Sequence, residues 1–356
     1  MLERSAIASL PKVVLHDHLD GDLRAQTIID IASEIGYDDL PFNDAELLSQ
    51  WFFDSCNDGS LEKYLRTFDH TIAVMQRAED IVRVSRECVL DLAFDNVVYG
   101  EIRVAPEHFT KQGLTLDDVV AAMLQGFREG ESEAQKAGKS IHVEAILCAM
   151  RHNDRSMEIA ELVHRWFGRG VVGFDIAGAE KGFPASNHRA AFDYLHSHNI
   201  PYTIHAGEAD GVSSIQDALE NCRATRIGHG VRIIDDIRIK DDSVELSAFA
   251  ALVHERGIHL ELAPSSNLQT GAAESYASHP IGILTKLGFN TGINTDNRLM
   301  SRTSVSNEIY QIAAAQQWNL EQVRTITENA IRAAFIDDSR KSALLETIAK
   351  HYAHLS

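Results

Sequence analysis

Lys12-Val13-Val14-Leu15-His16-Asp17-His18 is the stretch from which the fold is read. A run of aliphatic residues closes on two histidines with one residue between them. In a strand, residues i and i+2 point to the same face, so the two imidazoles stand together, about 6 to 7 Å apart along the chain. The apolar run marks a buried strand and puts the pair at its C-terminal end. Alone, the H-x-H spacing is a weak signal, equally at home in a surface pair of histidines. Its weight depends on how the other strands end.

Seven further short β-rich runs follow: Val97–Val104, His142–Ala149, Val171–Ile176, Pro201–His205, Arg226–His229, Ile258–Leu262 and Phe289–Thr295. Most are bounded by Gly, Pro or Asp, as buried parallel strands are. Amphipathic helical patterns lie between them, for example Leu116–Lys136 with Thr115 as its N-cap. Eight strands alternating with helices predict an α/β fold, a (β/α)8 TIM-type barrel. The segment between the first two strands, residues 19 to 96, is too long for one helix and is expected to add helices near the barrel mouth. The stretch from Thr303 to the C-terminus reads as several more. With no long linker or repeat, residues 1–356 are read as a single domain, a length that α/β barrels commonly reach.

Composition narrows the function. The chain has 33 Lys and Arg against 52 Asp and Glu, a net charge of −19, which repels phosphate backbones and argues against a nucleic-acid partner. No run of 18 apolar residues predicts a membrane span. Met1-Leu2-Glu3-Arg4 lacks the start of a secretory signal. Cys56, Cys88, Cys148 and Cys222 are far apart and form no C-x-x-C pair, so free thiols in a reducing cytoplasm are expected.

In a barrel of this type, catalytic residues sit at C-terminal strand ends. The fifth strand ends Thr203-Ile204-His205-Ala206-Gly207-Glu208, the sixth Arg226-Ile227-Gly228-His229-Gly230, and the eighth Gly292-Ile293-Asn294-Thr295-Asp296-Asn297. Each has a plainer reading: His229 between glycines as a turn feature, Asp296 as a helix cap. Four strand ends each offering His or Asp are harder to dismiss. Three histidines and one carboxylate suit zinc, with a water completing the shell. Competing motifs fail. His142-Val143-Glu144 and His259-Leu260-Glu261 fit H-x-E, but no P-C-x-x-C accompanies them, and both lie inside strands, where core or barrel-lining roles are expected. His254-Glu255 is followed by a histidine five residues on, not four. Gly138-Lys139-Ser140 lacks the upstream glycine of a P-loop, and no G-x-S-x-G occurs.

Taken in order, these segments resemble the adenosine deaminase family. The likeness runs from Leu15-His16-Asp17-His18-Leu19-Asp20-Gly21 through Asp175-Ile176-Ala177-Gly178, His205-Ala206-Gly207-Glu208, Gly228-His229-Gly230 and Pro264-Ser265-Ser266-Asn267 to Asn294-Thr295-Asp296. The resemblance implies a zinc-bearing barrel with one Zn2+ per chain, held by His16, His18, His205 and Asp296. Glu208 would protonate the purine at N1, and His229 would orient the attacking hydroxide and help manage its proton. The backbone of Gly178 would meet the purine, and Asp20 the ribose. Many family members carry a second Asp after the metal Asp; here it is Asn297, whose amide can donate to the purine N7 acceptor. Asp17, between the two histidines, faces away by strand alternation and is read as structural.

The chemistry is self-consistent. Zinc lowers its water's pKa to about 7. Attack at C6 pushes electrons onto N1, so an acid is needed there. The implied reaction is deamination of adenosine, with deoxyadenosine, to inosine and ammonia, on a small purine nucleoside. Adenine or a modified adenosine such as aminofutalosine are alternatives; Asp20, where adenine deaminases usually carry Glu, favours a ribose-bearing substrate. AMP suits an acidic body poorly. A binuclear amidohydrolase would want a lysine at the end of the fourth strand, yet Lys181 lies beyond it on the loop. A non-catalytic nucleoside binder would not need the full set of ligands.

Overall fold

The computed structural model describes residues 2–240 and 243–353. Ten strands are present among them: β1 Lys12–His18, β2 Val97–Val104, β3 His142–Met150, β4 Val171–Ala177, β5 Thr203–Ala206, β6 Arg226–His229, β7 Ile237–Lys240, β8 Ser243–Leu246, β9 His259–Leu262 and β10 Thr291–Ile293. Parallel pairing runs β1-β2-β3-β4 on one side and β5-β6-β9-β10 on the other. Two parallel bridges join the halves, Phe174 with Tyr202 between β4 and β5, and Asp17 with Asp296 between β1 and the end of β10. At the second seam, the Asp296 N–H donates to the His16 carbonyl at 2.9 Å and the His18 N–H to the Asp296 carbonyl at 2.7 Å. Eight parallel strands therefore stand in one ring, as expected for the barrel.

The expected strands differ from the observed ones mainly at their ends. The fifth starts at Thr203 because Pro201 has no N–H to give the ladder. The eighth is shorter than expected because the Asn294 side chain replaces a ladder bond: its Oδ1 accepts the N–H groups of Leu15 at 2.8 Å and His16 at 3.0 Å. The antiparallel β7–β8 pair lies outside the ring and had no counterpart in the sequence reading. Its residues are largely exposed, so no buried face writes an alternating pattern into them.

Residues 19 to 96 carry the expected helices, Ala25–Ile35, Ala45–Cys56, Leu61–Arg66, Phe68–Val74 and Ala78–Phe94, entered through a 3-10 turn at Leu19–Gly21. Leu116–Lys136 begins in a capping box, with Thr115 and Asp118 each satisfying the other's backbone N–H. The C-terminal part adds Val305–Gln316, Leu320–Ala333 and Asp338–Ala353. Among the described residues no helix is long and apolar enough to cross a membrane. All four cysteines are buried and form no disulfide.

The barrel floor is not purely apolar. Glu101, Arg103, Asp175, Arg226 and Glu261 are all buried there and paired with one another. Arg226 donates to Glu261 Oε1 and to Glu101 Oε2, both at 2.6 Å. A buried charge survives only if paired and hydrogen-bonded, and this network reaches up to the strand ends.

Candidate active site

The C-terminal strand ends bring His16, His18, His205 and Asp296 together, with one donor atom from each within 4.8 Å of the others. Asp296 Oδ1 lies 3.2 Å from His16 Nε2 and 3.4 Å from His18 Nε2. The Nε2 atoms of His18 and His205 are 3.2 Å apart. Donors at zinc bond lengths of about 2.0–2.1 Å stand roughly 3.3 Å from one another around a tetrahedral ion. The four donors therefore fit a single small cation.

Two of the imidazoles are held in the tautomer a metal needs. His16 Nδ1 donates to Glu261 Oε2 at 3.0 Å, and His205 Nδ1 lies 3.0 Å from Asp175 Oδ2. Each ring then turns an Nε2 lone pair inward; His16 Nε2 is buried and makes no hydrogen bond within the protein. One guanidinium positions both carboxylates. Arg103 donates to Asp175 Oδ2 at 2.6 Å and to Glu261 Oε2 at 2.8 Å. Burial alone would favour the neutral acids, but the groups beside them prevail: the His205 ring bonded to it and the Arg103 guanidinium hold Asp175 low, and Arg226 and Arg103 hold Glu261 low. Burial pushes His18 and His205 down, which keeps both neutral and able to ligate.

Asp175, Glu261 and Arg103 were not singled out from the sequence as supporting groups. A signal existed: charged residues recur inside otherwise apolar strands, as in Glu101-x-Arg103, where strand alternation turns both side chains into the barrel. Asp17 faces away from the histidines, as expected; it accepts from Arg298 Nε at 3.1 Å and from the Thr295 hydroxyl, and so anchors the turn that carries Asp296. Lys181 is exposed on the loop after β4.

Glu208 sits on the turn after β5. Gly207 permits that turn: its φ is +69°, and a Cβ there would come within 2.5 Å of Ile215. The loop is held by Glu180, which sequence reading missed. Its buried carboxylate accepts the backbone N–H groups of Gly207 at 2.5 Å, Glu208 at 3.1 Å, Ala209 at 2.6 Å and Asp210 at 3.0 Å. Burial pushes the Glu208 carboxyl well above the usual carboxylate range, and the Asp296 and Glu180 charges add to this. His229 Nε2 lies 3.5 Å from Glu208 Oε2, and burial pushes its ring well down. His229 and Asp296 both hold left-handed backbone, with φ of 61° and 60°, a strained conformation for residues with a Cβ.

A cavity of about 200 Å³ opens beside these groups, lined by all the remaining residues expected from the sequence: Asp20, Gly178, Glu208, His229 and Asn297, beside His18, His205 and Asp296. Asp20 Oδ1, Glu208 Oε1 and Asn297 Oδ1 are buried and find no protein partner. The hydroxyl of Tyr64, which also lines the cavity, is a fourth; buried polar atoms are rarely left so, and four on residues around one cavity mark it as built for a polar ligand. Burial raises the Asp20 carboxyl to about 7. Asn297 fits because its neighbour lacks a side chain: a Cβ on Gly21 would fall 1.9 Å from Asn297 Oδ1.

The family model that describes adenosine deaminase matches residues 11–351. "Adenosine deaminase 1" of Streptomyces coelicolor is 54% identical over 351 residues, covering 98% of this chain and 89% of that one. Among solved structures, an Arabidopsis protein complexed with IMP is 25% identical with a TM-score of 0.82, and 98% of each chain is covered. A Burkholderia ambifaria amidohydrolase with bound Zn is 22% identical with a TM-score of 0.84, covering 99% of this chain and 93% of that one, and shows the shared fold. The family match and the convergent donor set together indicate a metal cofactor. Matched from its first strand to its last helix, the chain belongs to the adenosine deaminase family.

Proposed function

We propose that this chain, acting as one catalytic domain over residues 1–356, hydrolyses the 6-amino group of adenosine and deoxyadenosine with one zinc ion per chain. The ion would be held by His16, His18, His205 and Asp296; when bound it supplies a water of lowered pKa beside the cavity. The convergence of these four donors next to the buried Glu208 carboxyl is the observation that carries the reading.

Each protein group has a task in that reaction. Glu208 is buried, and burial favours its protonated form, from which it would give a proton to purine N1 as electrons move onto the ring. His229 stands beside it and orients the attacking oxygen. Asp20 meets the ribose, the Gly178 backbone meets the purine, and the Asn297 amide donates to N7. The Gly178 backbone is left-handed, with φ of +99°, which glycine adopts without strain.

The cavity favours a nucleoside over its 5′-phosphate. Among the described residues no Lys or Arg lines it, while Asp69 does, and an added phosphate would find no cationic side chain to balance it. A panel of adenosine, deoxyadenosine, adenine, AMP and aminofutalosine, read by ammonia release, tests this. Adenosine and deoxyadenosine should lead. Preference for adenine or AMP would refute the substrate assignment.

A further inference from the structure

A chain of hydrogen bonds leads away from His229 into the protein interior and begins at an atom whose role is unambiguous. The Ile281 backbone N–H is a donor, and it donates to His279 Nδ1 at 3.1 Å. His279 Nδ1 must therefore be the unprotonated nitrogen, and the ring's proton sits on Nε2. His279 is buried, and burial lowers it to about 3, so the ring stays neutral. Its Nε2–H donates to Asn267 Oδ1 at 3.2 Å. With Oδ1 so engaged, the Asn267 amide turns Nδ2 toward His229 and donates to its Nδ1 at 3.1 Å. A neutral imidazole that accepts at Nδ1 carries its proton on Nε2.

Asn267 has little freedom to do otherwise. Its N–H bonds the Ala263 carbonyl at 2.8 Å and its carbonyl accepts from Ala273 at 2.9 Å. Its helix, Pro264–Gln269, is tied down where the Ser265 N–H donates to the buried Glu308 at 2.9 Å. Reversing the amide would set two donors against each other at His279.

We propose that Asn267 and His279 are positioning residues that hold His229 as the Nε2–H tautomer, so that His229 faces the reaction as a fixed hydrogen-bond donor and not as a base. This rests on the deaminase reading above and sharpens it. With its proton on Nε2, His229 can orient the nucleophilic oxygen by donating to one of its lone pairs, but it cannot take that oxygen's proton at Nε2. The proton has to leave by another group, and Asp296, the carboxylate that faces the site without a proton of its own to give, is within reach.

Two measurements test this on metal-loaded protein carrying ¹⁵N-histidine. The first is the ¹⁵N–¹H correlation spectrum of His229, assigned by its loss in His229→Asn. The proton should sit on Nε2 in the unmodified protein. Asn267→Asp keeps the shape but offers only acceptors, so the proton should move to Nδ1. The second is kinetics: in Asn267→Asp, kcat should fall about 10²–10⁴-fold, the scale seen when a catalytic imidazole is held in the wrong tautomer or an acid–base group is lost, with KM little changed. Because Asn267→Asp can fail to fold, a second pair is needed. His279→Leu should let His229 populate both tautomers and lower kcat, while His279→Gln, which restores a donor to Asn267 Oδ1, should recover both toward normal. A proton on Nδ1 in the unmodified protein, a tautomer switch with unchanged kcat, or a kcat loss without a switch would each overturn the proposal, as would indistinguishable His279→Leu and His279→Gln proteins. Unmodified protein inactive on every nucleoside would instead refute the deaminase reading, and the spectrum would still report the tautomer.

Discussion

Replacing Glu208 with glutamine separates proton transfer from binding. Glutamine keeps the size and a hydrogen-bond donor but cannot release a proton. The structure makes the carboxyl's protonation the central quantity. An ordinary glutamate, near 4.3, is protonated in only about one molecule in 500 at pH 7; Glu208 is pushed well up by burial and by the Asp296 and Glu180 charges. Loss of a general acid typically costs about 10²–10⁴ in rate, or about 2.7 to 5.5 kcal/mol in the barrier. Steady-state kinetics on adenosine should show kcat reduced by that factor in Glu208→Gln, with KM little altered and metal content normal. The pH profile gives an independent check. The competent form is the acid, so kcat in the parent protein is sustained below the raised pKa and falls as pH rises through it. In Glu208→Gln that alkaline limb should vanish. A variant retaining most of its kcat, or losing metal together with activity, would refute the assignment; the second result would make Glu208 a support for the metal.

Further variants probe the shell around it. His16→Ala and Asp296→Ala should abolish turnover and lower metal content together, as elemental analysis will show, because each removes one ligand of four. Glu261→Gln weakens the bond to His16 Nδ1 and leaves Arg103 and Arg226 short of a charge; metal affinity in chelator competition should drop about 10–100-fold, and Tm should fall with it. Glu180→Gln removes a negative charge that raises Glu208, so the alkaline limb of kcat should move to lower pH. The same change loosens the backbone N–H groups held by Glu180, and kcat itself should fall about tenfold, equivalent to roughly 1.4 kcal/mol.

Much of this site was legible in the sequence, because a barrel sends its chemistry to strand ends and the strands announce themselves by apolar runs. His16, His18, His205 and Asp296 each follow such a run, and the structure brings them within 4.8 Å. What was not legible is what supports them. Arg103 holds Asp175 and Glu261 across the barrel floor, and those partners are 72 and 158 residues away along the chain, a separation that no local pattern encodes. Glu180 lies two residues past the Gly178 turn, yet its meaning appears only when the backbone of residues 207–210 is seen to wrap it. Asn267 belongs to a quoted motif, but its link to His229 depends on a loop that returns His279 to the same place. The strand pair Ile237–Lys240 and Ser243–Leu246 escaped notice because it buries almost nothing.

In the proposed reaction a single metal ion, held by His16, His18, His205 and Asp296, drives loss of ammonia from adenosine. The most direct test is to titrate metal-free protein with zinc while following ammonia and inosine together. Turnover should be absent without metal, rise linearly and saturate at one zinc per chain, with one ammonia released for each inosine formed. Saturation at two metals per chain, or no ammonia from adenosine at any zinc level, would contradict it.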